Sequence, residues 1–199
     1  MTTKIIIPII VFVFVGVAHS GEIIESERIT NWGEWGSFHR CPNGTFAQGF
    51  RLRTEPYKGA LIDDTASNAV RLFCGDPDNI NTPTISSTEG HWGTWGEIFK
   101  CRPGGYIHGF SLRVEQPFLI PDDETATNNF RFYCNNDEPD VFLEGDGINR
   151  FGQWRSIKKC ARSEALCALQ TQVQRDQGLG DDTALNNISA ECCSPPLNN

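Results

Sequence analysis

Three acidic pairs recur along this 199-residue chain, Asp63–Asp64, Asp123–Glu124 and Asp181–Asp182, and each runs into Thr–Ala–x–Asn. Two carboxylates about 5–10 Å apart could serve glycoside hydrolysis, one as acid and the other as base or nucleophile. Neighbours on a strand point to opposite faces, however, so an adjacent pair is badly placed to flank one sugar bond. Asp, Thr and Asn side chains do a different job well, which is to satisfy backbone groups in a tight turn. We expect that turn role here and keep Asp64, Glu124 and Asp182 as candidate glycan contacts. No loop offers Asp, Asn and Gly at the alternating positions a calcium site needs. Trp32, Trp35, Trp92, Trp95 and Trp154 could stack on sugar rings if exposed, with core packing as the competing role. His39, His91 and His108 share no spacing and no metal partner. Nucleophile elbows, phosphate loops and dinucleotide fingerprints are missing from the sequence. Catalysis, a metal and a cofactor are therefore not expected.

Charge and targeting narrow the partners. Lys plus Arg number 17 against 25 Asp plus Glu, a net charge of −8. Nothing here neutralises phosphates in bulk, so neither nucleic acid nor an anionic membrane is an expected partner. Residues 1–20 read as a secretory signal peptide: Lys4, an apolar run from Ile5 to Val17, then Ala18–His19–Ser20. That run is shorter than the ~20 residues a membrane-spanning helix needs. Eight cysteines in an exported, extracellular chain read as four disulfides. Asn43–Gly44–Thr45 and Asn187–Ile188–Ser189 are sequons, making Asn43 and Asn187 candidate glycosylation sites.

The elements that must position these residues come in three copies. Trp32–Gly33–Glu34–Trp35, Trp92–Gly93–Thr94–Trp95 and Phe151–Gly152–Gln153–Trp154 share aromatic–Gly–x–Trp, and a cysteine follows nine residues after each first aromatic: Cys41, Cys101, Cys160. Nine residues past each motif threonine stands another: Cys74, Cys134, Cys192. Between them the apolar period is two, hence strands. Phe50, Leu52 and Thr54 share a face, as do Phe110, Leu112 and Val114, and Leu169, Thr171 and Val173. The closing strands alternate likewise through Val70 and Leu72, Phe130 and Phe132, Ile188 and Ala190. One such unit cannot cover its own apolar face, whereas three around a common axis can. The expectation is one all-β domain over 21–194 with internal pseudo-threefold symmetry, repeats at about 29–85, 86–145 and 146–193, and a disordered tail at 195–199.

Register across the copies suggests Cys41–Cys74, Cys101–Cys134 and Cys160–Cys192, leaving Cys167 and Cys193 to pair. Adjacent Cys192 and Cys193 keep an exchanged pairing open in the third unit. Cys167, two residues before Leu169, is expected on the inward face.

These openings, the Gly–Phe–x–Leu–Arg–(Thr/Val)–Glu strands at 49–55 and 109–115, and the Asp–(Asp/Glu)–Thr–Ala–x–Asn segments together resemble the vitelline membrane outer layer protein family, from about Ile29 to Cys193. The resemblance implies a β-prism of three Greek-key sheets, secretion, and a structural role in the egg coat. The third unit departs from the pattern, with Phe151 as its opening aromatic and Arg155 where Gly36 and Gly96 stand. The leading expectation is a secreted, disulfide-braced structural protein of an extracellular coat or matrix, with matrix or coat glycoproteins and glycans as partners. A lectin-like module is the alternative, and a weak enzyme processing chito-oligosaccharide glycans the lesser one.

Overall fold

Fifteen short and long strands, and no helix among the described residues, carry the chain around one interior. The computed structural model describes residues 21–56, 66–116, 125–139, 141–147, 150–175 and 183–195. The acidic pairs, residues 1–20, expected as a signal peptide, and residues 196–199 of the expected 195–199 tail lie outside them. The strands are β1 (Ile23–Glu25), β2 (Glu34–Trp35), β3 (His39–Arg40), β4 (Gly49–Thr54), β5 (Ser67–Phe73), β6 (Thr84–Ile85), β7 (Thr94–Trp95) and β8 (Phe99–Lys100). After them come β9 (Ile107–Val114), β10 (Thr127–Cys134), β11 (Leu143–Glu144), β12 (Gln153–Trp154), β13 (Lys158–Lys159), β14 (Ala165–Val173) and β15 (Leu185–Cys193).

Each sequence unit contributes one long antiparallel hairpin: β4–β5, β9–β10 and β14–β15. The sheets, however, are not the units. The first sheet runs β6-β5-β4-β7 with β8 also on β4, so its far edge comes from the opening of the second unit. The second sheet runs β11-β10-β9-β12 with β13 on β9, borrowing the opening of the third unit. The third runs β1-β15-β14-β2 with β3 on β14, and takes both edges from residues 23–40. Every unit is thereby threaded through two sheets, and the ring closes when the start of the domain meets its end.

The inward faces are those expected from period two. Phe50, Leu52, Phe110, Leu112, Phe130, Phe132, Leu169 and Ile188 are at most 1% exposed and belong to one cluster. Phe132 is its centre, 4.4 Å from the Phe50 ring centroid and 5.9 Å from Phe130. Where the second sheet points Phe130 and Phe132 inward, the third offers Ile188 and Ala190, so large side chains fill the space that small ones leave.

Four disulfides close: Cys41–Cys74, Cys101–Cys134, Cys160–Cys192 and Cys167–Cys193. The borrowed openings give the first three a meaning that spacing does not carry. The Cys41 amide bonds to the Cys167 carbonyl in the third sheet, while Cys74 ends the hairpin of the first. Cys101 and Cys160 likewise sit on the sheet preceding that of Cys134 and Cys192. Each of these cystines thus staples two neighbouring sheets. Cys167 is the extra residue of a β-bulge between Leu166 and Ala168, so it does not share the Leu169 face; it joins Phe46 and Ala165 in a separate buried cluster.

Candidate ligand surfaces

At one end of the prism the motif residues build the turns into the closing strands. Asn68, Asn128 and Asn186 are each the extra residue of a bulge, facing Arg53/Thr54, Val114/Arg113 and Gln172/Val173. Asn128 Nδ2 donates to Thr125 Oγ1 at 2.8 Å, and Asn186 Nδ2 donates to Thr183 Oγ1 at 2.8 Å and to the Ala184 carbonyl at 3.2 Å. The threonines in turn donate to Glu115 and, at 2.6 Å, to Gln174. Ala66 and Ala184, at the equivalent turn position in the first and third units, have φ 51° and 45°, in the left-handed region where Cβ is disfavoured. Thr125 and Thr183, with Asn68, Asn128 and Asn186, therefore make turns and bulges. Asp64, Glu124 and Asp182 lie outside the described residues.

The aromatic–Gly–x–Trp openings cross the same end. Gly33, Gly93 and Gly152 have φ 82°, 81° and 76°, and a Cβ on any of them would run into the backbone of the preceding sheet at Val173, Thr54 and Val114. The turn that glycine permits parts the two aromatics. Trp92 and Phe151 are exposed (46% and 41%) and Trp32 is half-buried at this end, whereas Trp35, Trp95 and Trp154 lie half-buried on the outer sheet faces. A cavity of about 630 Å³ opens beside Trp35, lined by Glu34, Gly36, Thr88 and Arg175. Its counterpart at the third unit holds about 250 Å³ beside Glu115 and Gly152. Arg155 stands at that corner, its guanidinium donating to the Val114 carbonyl at 3.0 Å.

Guanidinium groups cover the outer tryptophans. Arg51 and Arg71, directly opposite each other on β4 and β5, stand 4.8 and 4.1 Å from the Trp95 ring centroid. Arg131 stands 4.0 Å from Trp154 and 4.0 Å from Phe142, and Arg28 lies 5.6 Å from Trp35. Such stacks are attractive because the ring face is electron-rich, and they occupy surface a sugar platform would need. In the second sheet Arg131 is matched by Glu144, at 2.8 and 2.9 Å. In the first sheet Glu89 answers Arg71 at 3.0 Å and lies 3.9 Å from Arg53. Burial opposes the Glu89 charge, but hydrogen bonds from Ser86 and Arg71 and the nearby guanidinium charges hold its carboxyl below the usual range. Burial first, and the Arg71 charge second, push the Arg51 guanidinium below its ordinary value.

Of the two sequons, Asn43 is exposed in the Pro42–Thr45 turn. Asn187 is fully buried: its Nδ2 donates to the Thr30 carbonyl at 2.7 Å and to Gln172 Oε1 at 2.8 Å. The atom that would carry the sugar is engaged inside the third sheet, so the expectation for Asn187 is withdrawn. His39 and His91 are exposed, and His108 is the buried bulge residue equivalent to Cys167. Among the described residues Cys167, Glu191 and Cys193 gather within metal-ligand reach, but both sulfurs are spent on their mutual disulfide. The arginine faces were missed in the sequence. Their signal was present as Arg51, Arg53, Arg71, Arg113 and Arg131, all at outward strand positions.

Three five-stranded antiparallel sheets, set around a pseudo-threefold axis with their apolar faces inward, define a β-prism. Solved structures bear out that class. The Calystegia sepium agglutinin superposes with a TM-score of 0.56 at 11% identity, covering 89% of this chain and 99% of that one. A prostate-specific WGA16 glycoprotein lectin gives 0.53 at 11% identity, with 86% and 99% covered. At such identity the likeness concerns the fold alone. Within that class the sequence profile of vitelline membrane outer layer protein I matches residues 22–195, and the chain belongs to that family. It is 44% identical over 174 residues to the human vitelline membrane outer layer protein 1 homolog, covering 86% of this chain and 82% of the relative. The mouse homolog is 42% identical over 176 residues, with 86% and 83% covered.

Proposed function

We propose that this protein is a secreted structural component of an extracellular coat or matrix. The observation that carries the reading is the set of inter-sheet cystines: Cys41–Cys74, Cys101–Cys134 and Cys160–Cys192 tie the three sheets into a covalent ring. A ring closed in this way resists opening without a bound partner, and its bonds persist in an oxidising compartment and not in the cytosol. Family membership supports the same reading. The experiment is localisation of the endogenous protein with chemical cross-linking of its neighbours. Recovery in an insoluble extracellular layer with glycoproteins is expected; recovery from cytosol with reduced thiols sinks the reading.

A second reading, a carbohydrate-binding module, rests on the exposed Trp92 and Phe151 and the half-buried Trp32 at the end of the prism where the closing strands begin. A glycan array of neutral oligosaccharides tests it, with Trp92→Ala expected to abolish any signal. Hydrolysis of chito-oligosaccharides by the wild-type protein, lost in Asp64→Asn and Glu124→Gln, would instead favour the enzymatic alternative.

A further inference from the structure

The outer faces of the first two sheets share a plan and differ in charge. Equivalent positions place Arg71 against Arg131 and Trp95 against Trp154. Where the second sheet has Ser111 opposite Arg131, the first has Arg51 opposite Arg71. Where the second has Glu144 beside its arginine, the first has Ser86, one strand over from Arg71. Both exchanges add positive character to the first sheet. Glu89 offsets part of it, yet its carboxylate serves Arg71 and Arg53 and forms no ion pair with Arg51.

Arg51 is left incompletely satisfied. Its Nε is buried with no hydrogen-bond partner, and its guanidinium meets the rings of Trp95 (4.8 Å) and Phe73 (6.0 Å). Its cross-strand neighbour is another cation. Like charges directly opposite on a sheet destabilise it, and a guanidinium offers five donors that want acceptors. Arg53 is fixed beside them by donating to the carbonyls of Gly93 (3.1 Å), Gly90 (3.3 Å) and His91 (2.7 Å). A preorganised, incompletely satisfied cationic platform is thus held on rigid strands.

We propose that the outer face of the first sheet, centred on Arg51, Arg71 and Trp95, binds the anionic group of an acidic glycan, a sulfate ester or a sugar carboxylate. The oxyanion takes the Arg51–Arg71 pair, since guanidinium forks match sulfate and carboxylate geometry. Glu89 and the Ser86 hydroxyl flank the cations and accept or donate to sugar hydroxyls. A dense polyanion would meet the Glu89 carboxylate and the chain's net charge of −8, so sparse charge among hydroxyls fits better. This inference rests on the extracellular reading above for the availability of such glycans.

The test is calorimetric titration of the intact oxidised protein, at low salt, with three tetrasaccharides: keratan-sulfate-derived (sulfate alone), hyaluronan-derived (carboxylate alone) and N-acetylchitotetraose (neutral). Sodium tripolyphosphate is the fourth probe. One or both acidic sugars should bind, and which of them binds distinguishes sulfate from carboxylate. Arg51→Gln should weaken that binding by about tenfold or more, as expected for a charge-assisted contact. The same variant should unfold at an unchanged or higher denaturant midpoint, because it relieves a like-charge pair; a merely structural arginine would lower it. Gln170→Ala, the equivalent position of the third sheet, should leave binding unchanged. The proposal is overturned if acidic sugars do not bind, if Arg51→Gln binds as wild type, or if tripolyphosphate outcompetes the sugars. Binding of the neutral sugar alone would overturn it while sparing the carbohydrate-module reading. Arg51-dependent acid-sugar binding by a protein found to reside in cytosol would do the reverse.

Discussion

The third sheet and the first two occupy equivalent places in the prism but are built under different constraints. The first two take one edge from the linker that follows their hairpin and the other from the next unit. The edges of the third, β1, β2 and β3, come round from the far side of the sequence. Its outer face carries Gln170, Gln172, Asn187 and Ser189 where the first sheet carries Arg51, Arg53, Ala69 and Arg71. Its interior is slighter, with Thr171 and Ala190 for Leu112 and Phe132. Outward positions have diverged freely, while inward ones trade volume between sheets. Shape is shared property; charge is local.

The largest expected effect tests that shared volume. Phe132→Ala should lose about 3–5 kcal/mol in urea denaturation, since it empties the point where rings from two sheets meet. A loss near 1 kcal/mol would mean the sheets do not fill one another's space. Next come the cystines. Replacing Cys41 and Cys74 with alanine should cost about 2–4 kcal/mol, because it frees two sheets. Replacing Cys167 and Cys193 should fall at the low end of that range, since β14 and β15 are already hydrogen-bonded neighbours. Equal losses would remove the distinction between staples across sheets and a clasp within one.

Much of this was legible from residues alone, and the failures have a common cause. Phe50, Leu52, Phe110 and Leu112 alternate with polar residues because one face of each strand meets the core and the other turns outward, and that local rule is written in the chain. Register pointed to Cys41–Cys74 and Cys101–Cys134, while in the third unit adjacent Cys192 and Cys193 left two pairings open. What repetition cannot report is which neighbour a repeated element touches. Trp95 opposite Arg53 in the first sheet, and Trp95 paired within its own unit, would leave the same pattern. Hence the arginine–tryptophan stacks stayed hidden although each residue stood at an outward position. Asn187 failed for a similar reason: a sequon is three residues long, but its burial depends on Thr30 and Gln172. The bulge at Cys167 adds one residue between inward Leu166 and Leu169, which plain alternation does not foresee.

Two smaller effects sharpen the comparison. Gly93→Ala puts Cβ against the Thr54 carbonyl at φ 81°, whereas Gly44→Ala at φ 78° meets open space. The second should cost about 1–2 kcal/mol, the price of a left-handed alanine, and the first distinctly more by thermal unfolding. Equal costs would refute the close packing of the openings. The last effect concerns the bulge position held by His108 and Cys167. Burial, then Lys159 and Arg162, lowers the His108 pKa from 6.5. The unfolded chain therefore binds its proton first as pH falls below about 6.5, and stability should decline on the acid side. His108→Gln, the residue found at Gln48, should flatten that slope between about pH 7 and 5; an unaltered slope would dismiss the histidine as its source.

Ser26 and Asn187 are hydrogen-bonded across 161 positions of sequence. A nascent chain therefore carries β1, β2 and β3 as loose ends until nearly all of the prism has been synthesised. Until β14 and β15 emerge, those strands lack the sheet whose edges they form, so the last hairpin of the chain is also the one that completes the ring.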